Sequence, residues 1–303
     1  MKNDDPNLKS QYRMPRVFGA LPGPRNVPRD KQHLPNNQTN IVLSVTALTD
    51  ERLLSELLPP DCTLHGEPTV TLTMTFMSNI GWLAGRGYSI LSVGFPIAHR
   101  SKQSGELTGN FTPVLWENLA DPILTGREEL GFAKIYAEIP PPVILGDRYS
   151  ARALWQGFQF FEMELGELAE SPDRPPVPPS VSPPVPPPVP SLPSSGSFHY
   201  KFIPRTGALG EADCAYLEYA SPNRSATGYG GMRIVRRSTG NGSFRFHRAR
   251  WEDVPFQYPI INALADLPIR EVRAASVTHQ AAEGLIGDPS AQGLEPIDAL
   301  NRN

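Results

Sequence analysis

Asp121–Ile139, DPILTGREELGFAKIYAEI, brings together the residue types most able to do chemistry. A strand over Phe132–Ile139 puts Phe132, Lys134, Tyr136 and Glu138 on one face and Ala133, Ile135, Ala137 and Ile139 on the other. By residue type alone, Lys134 is then a surface lysine facing Glu138.

Other chemistries lack their residues. Cys62 and Cys214 lie too far apart for a zinc knuckle, and no His-Glu-x-x-His occurs. His33, His65, His99, His199, His247 and His279 are scattered singly, as surface or structural histidines are. The chain has no G-x-x-x-x-G-K-[ST] loop and no G-x-S-x-G elbow. Gly228–Arg233 is half a dinucleotide fingerprint with arginine at its last glycine position, which reads as a loop. No cofactor or metal is therefore expected. The arginine-rich stretch Arg233–Arg250 alternates with Phe244 and Phe246, as a surface hairpin would, so nucleic acid is not an expected partner.

The elements that must position Lys134 are mostly strands. In Thr69–Phe76, Val70, Leu72, Met74 and Phe76 alternate with threonines. Similar runs occur at 40–48, 88–95, 112–116, 151–165, 198–203 and 214–219. Runs at 232–236 and 244–248 flank Ser238–Gly242, which reads as a hairpin turn. Helices are predicted at Asp50–Leu58, capped by Thr49, at Asp121–Glu129 and at Tyr258–Leu267. Many strands with a few short marginal helices predict a mainly β fold, an antiparallel sheet or barrel.

The composition describes a globular chain of 303 residues with a net charge of −3. No basic field draws anionic lipid, no apolar run spans a bilayer, and two cysteines suit a reducing compartment. A cytoplasmic protein with no membrane partner is the expectation. Of 34 prolines, twelve fall between Pro172 and Pro193. Such a run favours polyproline II, either as a solvated insertion or as a ligand for a proline-reading domain.

Beyond residue types, Gly126-Arg127-Glu128 followed by Phe132-Ala133-Lys134 resembles the Schiff-base lysine signature of the acetoacetate decarboxylase family. Asn40-Ile41-Val42 with its following helix, Tyr200–Pro204 and Leu267–Val272 appear in the family's order, so the resemblance runs from about residue 35 to 280. It implies an antiparallel β-cone, a homo-oligomer and a small keto acid as partner. The domain plan is an N-terminal extension at 1–34 and a domain at 35–170. A proline-rich insertion follows at 171–197, then the domain's second part at 198–282 and a tail at 283–303.

The resemblance makes Lys134 the imine-forming amine, with Phe132, Tyr136 and Trp116 as pocket walls and Gly126, Arg127 and Glu128 as its supporting motif. Acetoacetate decarboxylase is itself the known instance of a lysine activated by desolvation or a neighbouring cation. Here Ile135 stands where well-known members have a second lysine, so burial has to do the work. The family's two glutamates and arginine fall near Thr73, Ser89–Ile90 and Asn36–Asn37, and none is matched. Arg29 or Arg86 could replace the arginine, and Glu106, Glu117 or Glu138 the acid. Glu138, which shares the strand face of Lys134, is the expected acid/base. The implied reaction is decarboxylation of acetoacetate or a related, polyketide-derived β-keto acid. The alternatives are a Schiff-base aldolase or dehydratase, or an inactive small-acid-binding or scaffold protein.

Overall fold

A computed structural model describes residues 14, 27–101, 105–171, 196–220, 232–287 and 298–300. The proline-rich run and Gly228–Gly231 lie outside the described residues. The strands are β1 (Thr39–Leu48), β2 (Cys62–Leu64), β3 (Thr69–Ile80), β4 (Arg86–Ser101) and β5 (Gly105–Phe111). Then come β6 (Leu115–Glu117), β7 (Lys134–Tyr136), β8 (Val143–Leu145), β9 (Arg148–Trp155) and β10 (Phe158–Glu170). The last are β11 (Gly196–Pro204), β12 (Ala212–Ala220), β13 (Met232–Phe246), β14 (Glu271–Ala282) and β15 (Asp298–Leu300). The helices are short: α1 (Glu51–Ser55), α2 (Ala120–Glu128) and α3 (Tyr258–Ala265).

The fold is mainly β, as the alternation predicts. Its main path runs β15-β12-β11-β5-β4-β3-β1-β14-β13-β10-β9-β8 and does not close on itself. Most pairs are antiparallel, but β5–β11 and β6–β7 are parallel. β4 joins the two halves. Its first part pairs with β3 and β6, and its second with β5 and β2. In β3 the inward residues Val70, Leu72, Met74 and Phe76 are buried as their period-2 spacing requires. With Leu43, Leu91, Phe95, Trp116 and Phe160 they belong to one large apolar core. A second cluster, Met77, Ile80, Tyr88, Ile90 and Leu115, has Phe132 packed against it.

Three local expectations change. The run 151–165 is two strands, because Gln156 (φ 47°) and Gly157 (φ 85°) make a two-residue turn with both φ positive. The cap of α1 is Asp50, whose carboxylate accepts from Leu53 N–H at 3.1 Å. The hairpin turn at Ser238–Gly242 is absent. β13 is one continuous strand between β10 and β14, so Arg233–Arg250 does not form a surface hairpin. The glycines there serve close approach rather than a turn. A Cβ on Gly240 would lie 2.6 Å from the carbonyl oxygens of Gly166 and Glu167.

No described helix is long and apolar enough to cross a membrane. Among the described residues, no group of His, Cys, Asp and Glu could hold a metal ion.

Candidate active site

β6 and β7 run parallel, with Leu115 opposite Lys134, Trp116 opposite Ile135 and Glu117 opposite Tyr136. Alternation therefore sends Leu115, Glu117 and Lys134 to one side of the sheet and Trp116 to the other. On the Lys134 side lies the second apolar cluster; on the Trp116 side lies the main core. Lys134 is 4% exposed and Glu117 is 0% exposed. The Lys134 amine stands 2.8 Å from Glu117 Oε1 and donates to the Pro122 carbonyl at 3.2 Å. Glu117 Oε2 is buried without a hydrogen-bond partner among the described residues. Burial pushes the Glu117 carboxyl up, while the charge and hydrogen bond of Lys134 pull it down and lose.

Helix α2 closes the amine from above. A Cβ on Gly126 would lie 2.3 Å from Lys134 Cε, so the lysine stem passes where a larger residue would stand. Arg127 donates to the Lys134 carbonyl at 2.8 Å. Asn118, next to Glu117, ties three segments together. Its Oδ1 accepts from Ser89 N–H at 2.7 Å, and its Nδ2 donates to the Ile139 carbonyl at 3.2 Å.

The loop from α2 to β7 is clamped by the β11–β12 hairpin, where His199 faces Glu218. His199 Nε2 lies 2.7 Å from Glu218 Oε2 and 2.5 Å from the Leu130 carbonyl, both acceptors, so that nitrogen carries the hydrogen. Lys201 Nζ donates to the Glu128 carbonyl at 3.1 Å, a cation at the C-terminal end of α2. The Phe132 ring stacks on His199 with centroids 4.0 Å apart, and the Lys134 amine lies 5.8 Å from the ring centre.

These contacts bring Gly126, Arg127, Phe132 and Lys134 together, with Glu128 entering through its backbone. Two predicted residues stand elsewhere, and a third, Tyr136, is a partly exposed wall of a cavity that Lys134 also lines. Trp116 is buried in the main core, where its indole donates to Gln257 Oε1 at 2.7 Å. Parity sent it to the wrong side for a wall beside the amine. Tyr136 is 44% exposed. Glu138 does not face the amine, because the strand is only three residues long. Past Ala137 the chain leaves β6 to bridge Leu154, and Glu138 Oε1 accepts from Gln156 N–H at 2.9 Å. Upstream, a three-residue turn in which Lys134 N–H donates to the Phe132 carbonyl takes Phe132 out of the strand.

The other proposed substitutes face solvent. Arg86 donates to the Leu83 carbonyl on the surface, Arg29 lies in an exposed 3-10 turn, and Glu106 pairs with Arg100. Glu117 instead lies directly opposite Ile90 across the β4–β6 pair. The carboxylate thus arrives one strand over from Ser89–Ile90, which sequence spacing alone does not reveal. Nor did any local pattern mark His199, Glu218 or Asn118, and Lys201 was legible only as part of Tyr200–Pro204, without a role; all four act through long-range contacts.

Beside the site, an apolar cavity of about 860 Å³ runs along the outer edge of β7, between α2 and α3. Lys134 and Tyr136 are among its lining residues; Glu117 and Phe132 are not.

The family model for acetoacetate decarboxylase matches residues 22–286. The chain belongs to the acetoacetate decarboxylase family. Its fold resembles the acetoacetate decarboxylase of Legionella pneumophila, at 18% identity over 82% of this chain and 86% of that one, with a TM-score of 0.55. An acetoacetate decarboxylase-like enzyme of Sphingomonas wittichii is 15% identical over 84% and 94% of the two chains, with a TM-score of 0.55. The enduracididine biosynthesis enzyme MppR, solved in complex with pyruvate, is 15% identical over 83% and 90%, with a TM-score of 0.53. No curated protein matches the chain by sequence.

Proposed function

We propose that this family member is a Schiff-base lyase that decarboxylates a β-keto acid through Lys134, with Glu117 in place of Glu138 as the acid/base. One observation carries the reading: a fully buried lysine–glutamate pair at 2.8 Å on an apolar face. A low-dielectric site penalises the charged pair, which brings its neutral form, amine beside carboxylic acid, within reach. Proton transfer from the ammonium to Glu117 therefore yields the nucleophile in place.

The amine then attacks the ketone carbon, and Glu117 returns the proton to the departing hydroxyl as water leaves. The protonated imine accepts the electron pair of the breaking carbon–carbon bond, and carbon dioxide departs. The resulting enamine is protonated on carbon and hydrolysed, which regenerates Lys134. Phe132 keeps water from the amine on one side.

A second reading keeps the imine without decarboxylation, as an aldolase or dehydratase. Among the described residues, the polar partners of the Lys134 and Glu117 side chains are each other and the Pro122 carbonyl, with Phe132 and Gly126 beside the lysine. None is a further cation to orient a substrate carboxylate. A structure of MppR, which shares this fold, holds the condensation product of pyruvate and imidazole 4-carboxaldehyde.

Borohydride trapping with acetoacetate and with a longer β-keto acid, read by intact mass and peptide mapping, tests both. The expected adduct is on Lys134, absent in Lys134→Ala, with carbon dioxide released in parallel. An adduct without gas selects the second reading. No adduct from any keto acid removes both and leaves a non-catalytic binding protein.

A further inference from the structure

The sheet face that carries Lys134 continues well beyond the amine. Opposed residues share a side of a sheet, so the strand register traces one row outward from Lys134. It passes Leu115 of β6, Ser92 of β4, Thr73 of β3, Ser44 of β1 and Ser276 of β14. The adjoining row begins at Gly94 and adds Thr71, Thr46 and Ala274. The alternate residues of these strands, among them Val93, Leu72, Leu43 and Val277, fill the main core on the other side. A sheet face turned to water ordinarily mixes in lysine, glutamate and arginine. Across β4, β3, β1 and β14 these two rows carry none, only hydroxyls, a glycine and an alanine.

Ser92, Thr73, Ser44 and Ser276 are each partly buried. Thr46 meets Thr71 at 2.9 Å and Ser44 meets Thr73 at 3.4 Å, hydroxyl to hydroxyl. Each pair uses one of its two hydrogens, which leaves a donor and several lone pairs for a molecule lying on the face. The Asn110 amide lies over Gly94, against the place a Cβ would occupy, and adds a neutral donor and acceptor. At the head of the face stands Glu117, opposite Ile90 and 0% exposed, its Oε2 without a hydrogen-bond partner among the described residues. An ionised tail is a poor occupant, because the rows offer it no counter-charge. A purely apolar tail is equally poor, because it would strip water from the hydroxyls and return no hydrogen bond. A neutral oxygenated chain matches. Leu115 lies between Lys134 and Ser92, which are two strand spacings, about 10 Å, apart along the row. The oxygens of such a chain therefore begin several carbons beyond the carbonyl.

We infer that the keto substrate of Lys134 carries a neutral hydroxylated tail, which crosses Leu115 and hydrogen-bonds along Ser92, Thr73 and Ser44. This substrate class rests on the imine proposed above and deepens it: the amine selects the carbonyl, and the hydroxyl rows select the far end of the chain.

Borohydride trapping of 7,8-dihydroxyoctan-2-one and of 2-octanone on the full chain, over a concentration series and read by peptide mapping at Lys134, tests it. The diol is expected to half-saturate the lysine at a concentration at least tenfold lower than 2-octanone. Thr73→Val with Ser44→Ala should erase that advantage, and Ser92→Ala is the second variant if the pair fails to fold. Equal half-saturation by the two ketones, or an advantage that survives in the folded variants, overturns the inference and leaves the imine standing. If neither ketone is trapped, the imine reading falls, and saturation-transfer NMR of the same two compounds reads the face alone. Contact by the diol that Thr73→Val removes then upholds the hydroxylated tail, and no such contact overturns it as well.

Discussion

Gly126 and Lys134 are in such close contact that a methyl group on the glycine would fall 2.3 Å from the lysine Cε. The atoms it would meet are the far end of a flexible side chain, so the lysine can move aside at small cost. Alanine also improves the helical propensity of α2 by up to about 1 kcal/mol. Gly126→Ala is therefore expected to keep the urea midpoint within about 1 kcal/mol of wild type while lowering borohydride-trapped imine at least tenfold. An equal loss of both would mean that Gly126 serves folding rather than the position of the amine.

Burial holds the Glu117 carboxyl above its ordinary value, against the pull of Lys134. The folded chain then binds more protons than the unfolded chain above the ordinary glutamate pKa. Stability contributed by the protonated form is lost as pH rises through the folded value. Lys134→Met removes the pull and raises that value further. Between pH 5 and 8 its stability should fall with pH more steeply than wild type, by up to about 1.4 kcal/mol per pH unit. Adding Glu117→Gln should flatten the slope. Urea midpoints across this range decide the matter, and a slope that survives the double substitution belongs to another group.

His199 donates to Glu218 and to the Leu130 carbonyl inside the protein. His199→Leu leaves a buried carboxyl and a carbonyl without their donor, at an expected cost of about 3 kcal/mol. Most of the carboxyl's share should return in His199→Leu/Glu218→Leu. His199→Gln, which keeps an N–H donor, should be milder and retain more imine formation. Chemical denaturation and borohydride trapping together check this. Equal damage from leucine and glutamine would assign the effect to the stacked ring on Phe132.

Cys62 is half-buried, and desolvation pushes its thiol up to about 11. At pH 8 its thiolate fraction is on the order of 100-fold below that of a free thiol. Iodoacetamide labelling of Cys62, followed by peptide mapping, is expected to be slower than labelling of a free thiol by that order. Labelling at the free-thiol rate would mean that the segment opens readily.

Alternation in Thr69–Phe76 was enough to predict β3 and its buried face, because a period of two survives whatever the strand packs against. The three helices were legible through local spacing, although the first is capped by Asp50 rather than Thr49 and the other two have no side-chain cap. The motif around Lys134 identified the family because a signature is local by construction. Local spacing failed at Ser238–Gly242, where glycines that read as a turn are needed because β10 lies against a continuous β13. It failed again at Glu138 and Trp116, because strand length and parity depend on where β6 begins and where the chain leaves it. Burial of Lys134, its pairing with Glu117 and the His199 clamp were decided only by tertiary structure. Each joins segments between 17 and 69 residues apart in sequence. Desolvation, which raises the Glu117 carboxyl, is a property of everything packed around a group, and no stretch of sequence contains it.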